Sequence, residues 1–231
     1  MLSMGKTVLI TGANRGIGLE AARQLAARGF TVYLAARDKT AGKKVAASLK
    51  GDVHSVVLDV TLPGSIRKAT QELEAHCPAL DVLVNNAGVL LDEDANMTTL
   101  DPALLYQTLQ TNAFGPMRVS QAFLPLLRKS KEPRIINVSS AAGQLSGGLG
   151  TWAPAYSISK TTLNAVTCQF AAALPDFAVN AISPGWVRTD MGGEGAPLSV
   201  EEGADVIVWL ASEAPQSLTG KFLRDRSEIP W

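Results

Sequence analysis

The stretch Thr11-Gly12-Ala13-Asn14-Arg15-Gly16-Ile17-Gly18 follows an apolar run, 8–11, and leads into a segment of helical length. Its three glycines allow a tight turn, close approach of the backbone to a ligand, and close packing of a helix on a strand. Amides at the start of such a helix, with the positive end of its dipole, favour phosphate groups. The spacing G-x-x-x-G-x-G is neither G-x-G-x-x-G nor a Walker loop. An ordinary glycine-rich turn is the alternative to the predicted dinucleotide site.

Short apolar runs alternate with segments of helical length along the rest of the chain. The predicted strands are 8–11, 31–35, 55–58, 82–84, 134–138 and 177–182, with 221–223 as a possible seventh. The predicted helices are 17–28, 39–49, 64–76, 101–129, 155–173 and 200–212. The strands are continuously apolar, as expected for a parallel sheet covered on both faces. We therefore predict an α/β fold with a single domain over 1–231, a doubly wound parallel sheet and helices on both faces.

Composition excludes several classes of partner and site. The chain has 231 residues, with 21 Lys and Arg against 21 Asp and Glu, so no basic surface for a nucleic acid or an anionic membrane is expected. Its apolar runs are shorter than a membrane span, and no signal-peptide pattern precedes the first strand. Cys77 and Cys168 are too few for a disulfide framework, and no metal-ligand cluster is visible. We expect a cytoplasmic protein without a metal.

The end of the second predicted strand bears on the choice of cofactor. An acidic residue at that tip would bind a ribose diol and favour NAD. Ala36 occupies the tip, and Arg37, with Arg15, could hold a 2′-phosphate through charge-assisted hydrogen bonds. This favours NADPH/NADP over NAD. The neighbouring Asp38 is counter-evidence, and a solvated Arg37 is the alternative.

Tyr156 and Lys160 are four residues apart in a predicted helix, so they lie on one face, one turn apart. A phenol normally keeps its proton to about pH 10, and a nearby cation favours the phenolate. The pair could then exchange protons nearer neutrality. Such pairs also arise by chance. Together with the glycine-rich turn and an exposed Ser-Ser strand end, however, this one predicts a hydride-transfer enzyme.

These residues, read with Asn85-Asn86-Ala87-Gly88, resemble the short-chain dehydrogenase/reductase family over nearly the whole chain, through the turn at 184–185. Residues 35–38 and 225–231 make the chain most similar to the NADPH-dependent carbonyl reductases of that family. The resemblance implies a Rossmann fold and the reduction of an aldehyde or ketone by NADPH. It also favours a homo-dimer or homo-tetramer, although some such reductases are monomers.

The resemblance further implies which residues contact the cofactor. Asp59 and Val60 would contact adenine; Asn86, Ala87 and Gly88 would line the adenosine side; Pro184, Gly185, Val187 and Thr189 would flank the nicotinamide. From the residues alone, the stretches 85–88 and 184–185 are simply turns.

In the family mechanism, a Ser, a Tyr, a Lys and an Asn cooperate. Tyr156 would protonate the carbonyl oxygen, and Lys160 would lower the phenol's pKa and hold the nicotinamide ribose. Ser140 would donate a hydrogen bond to the substrate oxygen. Asn112 would hold a water that links Lys160 to solvent. The loop between Ser140 and Tyr156 is longer than usual, which leaves Ser139 as a competitor, and from the residues alone these groups could simply cap or pack.

Two segments, about 141–155 and 188–199, would form the substrate loops. They carry apolar side chains among glycines, with Leu145, Leu149 and Trp152 in the first, Met191 in the second, and Trp186 just before the second. Such loops predict a mobile, hydrophobic cover over a neutral, partly apolar carbonyl compound. The alternative is that both tryptophans pack in the core.

Other activities remain as alternatives. A hydrolase is disfavoured because the chain has no Gly-x-Ser-x-Gly elbow, and its two histidines lie in a strand and at a helix end. An NAD-dependent alcohol dehydrogenase working in the oxidative direction would use the same residues. A non-catalytic NAD(P)H-binding sensor would have no need of the Ser, Tyr, Lys and Asn set.

Overall fold

The computed structural model describes residues 5–92 and 95–231; residues 1–4 and 93–94 of the predicted domain lie outside the described residues. The strands are β1 (Thr7–Thr11), β2 (Thr31–Ala36), β3 (Val53–Val57), β4 (Val82–Asn85), β5 (Arg134–Val138), β6 (Ala178–Ile182), β7 (Phe222–Arg224) and β8 (Ser227–Glu228). The α-helices are α1 (Gly16–Ala27), α2 (Lys39–Ser48), α3 (Pro63–His76), α4 (Pro102–Leu109), α5 (Gly115–Leu127), α6 (Pro154–Ala173) and α7 (Val200–Ser212).

The strands form one sheet in the order β3-β2-β1-β4-β5-β6-β7-β8. The first seven are parallel, and β8 pairs antiparallel with β7. The chain therefore runs outward from β1 to β3 and returns to place β4 on the other side of β1. Ligands of doubly wound sheets bind at this reversal, beyond the carboxyl ends of the strands. The predicted α/β fold with a doubly wound parallel sheet is confirmed.

Each face of the sheet has its own core. Val8 and Ile10 of β1 face α1 and α7, in a cluster that includes Leu25 and Ile207. Leu9 points to the opposite face, in the cluster with Leu73 of α3 and Phe123 of α5. Because successive strand residues alternate between faces, covering both faces favours an apolar residue at most positions. This explains the continuously apolar strands in the sequence.

The predicted helix 101–129 is wrong as a single element. It consists of α4, a π-helical turn over Gln110–Phe114, and α5. Pro116 has no N–H for the carbonyl of Asn112, four residues earlier, and an α-helix would require that bond. The chain instead uses a bond from the Gly115 N–H to the Gln110 carbonyl, five residues apart. Asn112 lies within this turn, and its side chain is fully buried.

None of the helices within the described ranges is both long and apolar enough to cross a bilayer. In the same part of the chain, no three His, Cys, Asp or Glu side chains gather in a group that could hold a metal ion.

Candidate active site

A cleft lies at the point where the sheet reverses, between the glycine-rich turn, the ends of β2 to β5, and α6. Most of the predicted cofactor residues line it: Gly12, Asn14, Arg15, Gly16, Ile17, Arg37, Asp59, Val60, Asn86, Ala87, Gly88, Tyr156, Lys160, Pro184 and Thr189. Three others lie behind its surface. Gly18 packs against Asn86, Gly185 against Leu198, and the buried Val187 against Gly203.

The glycines of the turn are required for different physical reasons. Gly12 and Gly16 have φ angles of +63° and +56°, which glycine adopts without strain. A Cβ on Gly12 would also lie 2.9 Å from the Cα of Ala87. On Gly18, a Cβ would overlap the side-chain amide of Asn86. The turn can therefore approach both β4 and a ligand closely.

The first turn of α1 fits an anionic group. Arg15 occupies the N-cap position, and no side chain of the described residues hydrogen-bonds there as a cap. The helix thus presents backbone N–H groups and the positive end of its dipole to the cleft, as a pyrophosphate would require.

Asn86 ties the end of β4 to the glycine-rich turn. Its Nδ2 donates to the carbonyls of Thr11 and Gly12 at 2.9 and 3.1 Å. In return, the Oγ1 of Thr11 accepts from the backbone N–H groups of Asn86 and Ala87, both at 3.0 Å. These four bonds fix the floor of the cleft at the sheet reversal.

At the end of β2, Arg37 is exposed and borders the cleft. Asp38 caps α2 instead, since its Oδ1 accepts from the backbone N–H of Ala41 at 2.7 Å. Arg15 does not join Arg37. Its guanidinium pairs with Asp190 at 2.6 Å, and both side chains are largely exposed. Both arginines thus border the cleft, and Arg15 is the one that is paired with a carboxylate.

Tyr156 and Lys160 lie together in the first two turns of α6. Both are buried, with exposed fractions of 8% and 4%. The Nζ of Lys160 lies 5.5 Å from the centre of the Tyr156 ring and donates to the carbonyl of Val138 at 2.8 Å. The hydroxyl of Ser140 lies close enough to that of Tyr156 to lower its pKa. The Tyr, Lys and Ser of the predicted set are thus brought together.

Burial controls the protonation of this pair. It raises the pKa of Tyr156 above its ordinary value of 10, and the nearby hydroxyl of Ser140 lowers that pKa by less. Burial also lowers the pKa of Lys160 to about 8. The expected shift of the phenol's pKa towards neutrality is thus opposite to the direction found here, because desolvation of the phenolate dominates. At neutral pH the phenol keeps its proton and the lysine is mostly charged.

The two serines at the end of β5 have different environments. The Oγ of Ser139 donates to the Oδ1 of Asn164 at 2.6 Å and is buried against α6. Ser140 is half-buried, accepts from the backbone N–H of Ala142 at 3.1 Å and reaches Tyr156. Of the two serines, Ser139 is the one that lines the cleft, but its hydroxyl is directed to Asn164.

Asn112 joins three segments behind the cleft. Its Oδ1 accepts from the N–H of Val89 and its Nδ2 donates to the carbonyl of Val89, both at 2.8 Å. The same Nδ2 donates to the Oγ of Ser159 at 3.0 Å. The side chain therefore fixes the π turn to the loop after β4 and to α6, next to Lys160 rather than in the cleft.

The predicted substrate loops expose their apolar side chains. Trp152 and Trp186 are 48% and 60% exposed, so the alternative that they pack in the core is wrong. The ring of Trp152 meets that of Tyr156 edge-on, with centroids 5.9 Å apart. The Nε1 of Trp186 donates to the carbonyl of Gly192 at 2.8 Å, which fixes this ring on its own loop.

Sequence reasoning missed two features near the site. Ser146, in the first substrate loop, donates its N–H to the carbonyl of Trp231 at 2.9 Å, and the Trp231 ring stacks on Phe222. Asp92 lies buried against the start of α6. Neither has a sequence signal, because each contact joins segments far apart in the chain.

This chain is similar to known proteins over most of its length. The family model described as short chain dehydrogenase matches residues 6–197. The chain is 35% identical to (+)-neomenthol dehydrogenase of Arabidopsis thaliana over 88% of this chain and 90% of that protein. An NADPH-bound carbonyl reductase from chicken fatty liver superposes with a TM-score of 0.88 at 30% identity, covering 98% of this chain and 99% of that one. Salutaridine reductase from Papaver somniferum has a TM-score of 0.83 at 28% identity, with coverages of 94% and 99%. The chain therefore belongs to the short-chain dehydrogenase/reductase family, whose oxidoreductases bind a nicotinamide cofactor.

Proposed function

We propose that this protein reduces the carbonyl group of an aldehyde or ketone with NADPH, and that Tyr156 is the general acid. The observation that carries the proposal is the grouping of Tyr156, Ser140 and Lys160 beside the glycine-lined cleft. A buried phenol that keeps its proton at neutral pH is a proton donor, and the adjacent ammonium stabilises the phenolate left after transfer.

The chemistry assigns one task to each side chain. A nicotinamide bound in the cleft would supply the hydride. Ser140 donates a hydrogen bond to the substrate oxygen, where negative charge develops. The Oη of Tyr156 gives its proton to that oxygen, so that an alcohol is formed. Lys160, with a pKa of about 8, holds a positive charge beside the ring during this transfer and can return a proton to the phenolate.

Arg37 is the basis of the proposed preference for NADPH. It is exposed at the cleft edge beyond β2, where a 2′-phosphate would lie. The carboxylate of Asp38 caps α2. It is therefore less available to bind the ribose diol of NAD. The guanidinium can bind phosphate oxygens through two parallel hydrogen bonds. The NADPH-bound state of the similar chicken carbonyl reductase also supports this cofactor.

The surroundings of the site favour a neutral, largely apolar substrate. Large apolar side chains are exposed on three loops at this edge of the sheet: Leu91, Met97, Leu145, Leu149, Trp152, Trp186 and Met191. Arg188, in the second substrate loop, donates to the carbonyls of Ala196 and Pro197 and so stabilises its own loop. Apolar surface of this kind binds aldehydes or ketones with hydrocarbon bodies rather than carboxylates.

The decisive experiment measures loss of NADPH absorbance with a panel of apolar aldehydes and ketones. Tyr156→Phe keeps the ring but removes the proton, so kcat should fall by roughly 100-fold or more. Tyr106→Phe is the matched control, because Tyr106 is exposed on α4. Near-normal turnover by Tyr156→Phe would refute the proposed mechanism. Binding of NADPH without any turnover by the wild type would favour the sensor alternative.

The cofactor preference is tested separately with Arg37→Ala. Loss of a charge-assisted contact should weaken NADPH selectivity over NADH by about 10- to 100-fold. Lys44→Ala, an exposed change on α2, is the control for general loss of positive charge. An unchanged ratio would exclude Arg37 from this role. A wild type that prefers NADH would support an NAD-dependent alcohol dehydrogenase.

A further inference from the structure

A buried carboxylate from the loop after β4 contacts the first turn of α6. The Oδ2 of Asp92 accepts from the backbone N–H of Ala155 at 2.5 Å. Its two oxygens lie 3.3 and 3.4 Å from the backbone nitrogen of Tyr156. Asp92 is only 3% exposed. The catalytic helix thus receives its N-terminal cap from a distant segment of the chain.

The local sequence of α6 does not supply that cap. Pro154 is the first helical residue and has no N–H, while Ala153 at the N-cap position has no side-chain acceptor. Ala153 also adopts the left-handed conformation, with φ of +44°, which residues other than glycine rarely adopt. Such a backbone persists only where surrounding contacts hold it. The carboxylate satisfies the free N–H groups and complements the helix dipole.

The same loop is fastened to α6 at a second point. Val89 is bonded at both its N–H and its carbonyl to Asn112, which also donates to Ser159. The segment 89–92 follows directly on Gly88 at the cleft surface. The cofactor side of the cleft and the helix that carries the general acid are therefore joined by a short, doubly anchored segment.

We propose that Asp92 is a positioning residue: by holding the backbone of Ala155 and Tyr156, it sets where the Tyr156 hydroxyl lies relative to the cofactor side of the cleft. This inference rests on the proposed function, since it assigns Tyr156 as the general acid. Asp92 is not part of the cleft lining, so in this proposal it acts only through the backbone that it holds. The proton and the hydride go to the same carbonyl group, so the Tyr156 hydroxyl and the cofactor side of the cleft must be held at the correct distance and orientation. Small displacements of either one slow the reaction strongly.

The test compares Asp92→Ala and Asp92→Asn with Asp101→Ala. Asp101 is the matched control, because it caps α4 through the N–H of Ala103 at 2.8 Å and is exposed. We expect Asp92→Ala to lower kcat by roughly 10- to 100-fold. The dissociation constant of NADPH, measured by fluorescence, should stay within about twofold of wild type. Asp92→Asn keeps an acceptor oxygen and should recover part of kcat, whereas Asp101→Ala should lower only the Tm.

Two results would overturn the inference. One is a kcat of Asp92→Ala equal to that of the wild type, measured below the Tm of the variant. The other is an equal loss of kcat and of NADPH affinity, as a general loss of structure would cause. If the wild type bound NADPH but reduced no carbonyl compound, the proposed function would fail instead. Amide hydrogen exchange then decides about Asp92: exchange at Ala155 and Tyr156 should accelerate in Asp92→Ala and not in Asp101→Ala. Unchanged exchange would exclude the anchoring contact.

Discussion

Replacing Lys160 by methionine should stabilise the folded protein at neutral pH while removing activity. Burial lowers the pKa of Lys160 from 10.5 to about 8, and each pKa unit corresponds to about 1.4 kcal/mol. The buried ammonium therefore costs about 3 kcal/mol of folding free energy at neutral pH. Methionine has a similar unbranched shape without the charge, but it leaves the Val138 carbonyl without its donor, which costs about 1 to 2 kcal/mol. We expect a net gain of about 1 to 2 kcal/mol.

The pH dependence isolates the charge from the lost hydrogen bond. The cost of the ammonium is present in full below the folded-state pKa, about 8, and is relieved as the pH rises towards the unfolded-state value of 10.5. Over that window the unfolded chain binds more protons, so wild-type stability rises with pH through this group. The stability advantage of Lys160→Met should shrink by about 2 kcal/mol between about pH 7 and about pH 9.5.

Urea denaturation followed by tryptophan fluorescence measures the free energy of unfolding of wild type and of Lys160→Met at each pH. Titratable groups that the two proteins share contribute equally to both values, so their contributions cancel in the difference. Lys44→Met, which removes an exposed ammonium from α2, should show no such pH-dependent difference from wild type. If wild type and Lys160→Met changed in parallel over this pH range, the ammonium of Lys160 would not be destabilised in the folded protein, and the argument from burial would fail.

Four further variants test other parts of the site. Ser140→Ala should lower kcat by roughly 10- to 100-fold, whereas Ser139→Ala should mainly lower the Tm. Steady-state kinetics measures the first effect and thermal denaturation the second. The reverse pattern would assign the catalytic role to Ser139. Gly18→Ala should displace Asn86 and weaken NADPH binding by about 10-fold in a fluorescence titration, and undiminished binding would contradict the packing argument. Trp186→Ala should raise KM for apolar ketones by about 3- to 10-fold, with kcat retained. An unchanged KM would show that the Trp186 ring does not contact the substrate.

The sheet was predictable because its physical requirements are visible residue by residue. Strands covered on both faces favour an apolar residue at most positions, and the glycine-rich turn marks the strand at which the chain reverses. The π turn within 101–129 was not predicted, although Gly115-Pro116 carries a signal for it, since a proline removes a helical N–H. The hairpin between β7 and β8 was missed for a different reason. Asp225 and Arg226 both have positive φ, and Arg lacks the usual preference for such turns.

Within the site, motif order predicted which residues gather around the cleft but not their electrostatics. The spacing of Tyr156 and Lys160 places them on one helix face, and it says nothing of how deeply both are buried. Burial, which depends on the packing of β5 and the loop after β4, determines the direction of both pKa shifts. Asp92 was overlooked because a carboxylate in a loop is usually solvated. Its importance comes only from a contact with a helix that begins some 60 residues later.

Burial of Tyr156 and Lys160 determines which protons the pair holds at neutral pH. Desolvation disfavours the charged form of each group, so it raises the pKa of the phenol above 10 and lowers that of the ammonium to about 8. At neutral pH the pair therefore holds both protons, one on Tyr156 Oη and one on Lys160 Nζ. That is the state from which the proposed general acid would donate its proton. Oxidation of an alcohol would start instead from the phenolate, which the positive charge of an oxidised nicotinamide would favour. The same burial thus makes Lys160 unfavourable for stability and keeps the phenol of Tyr156 protonated at neutral pH.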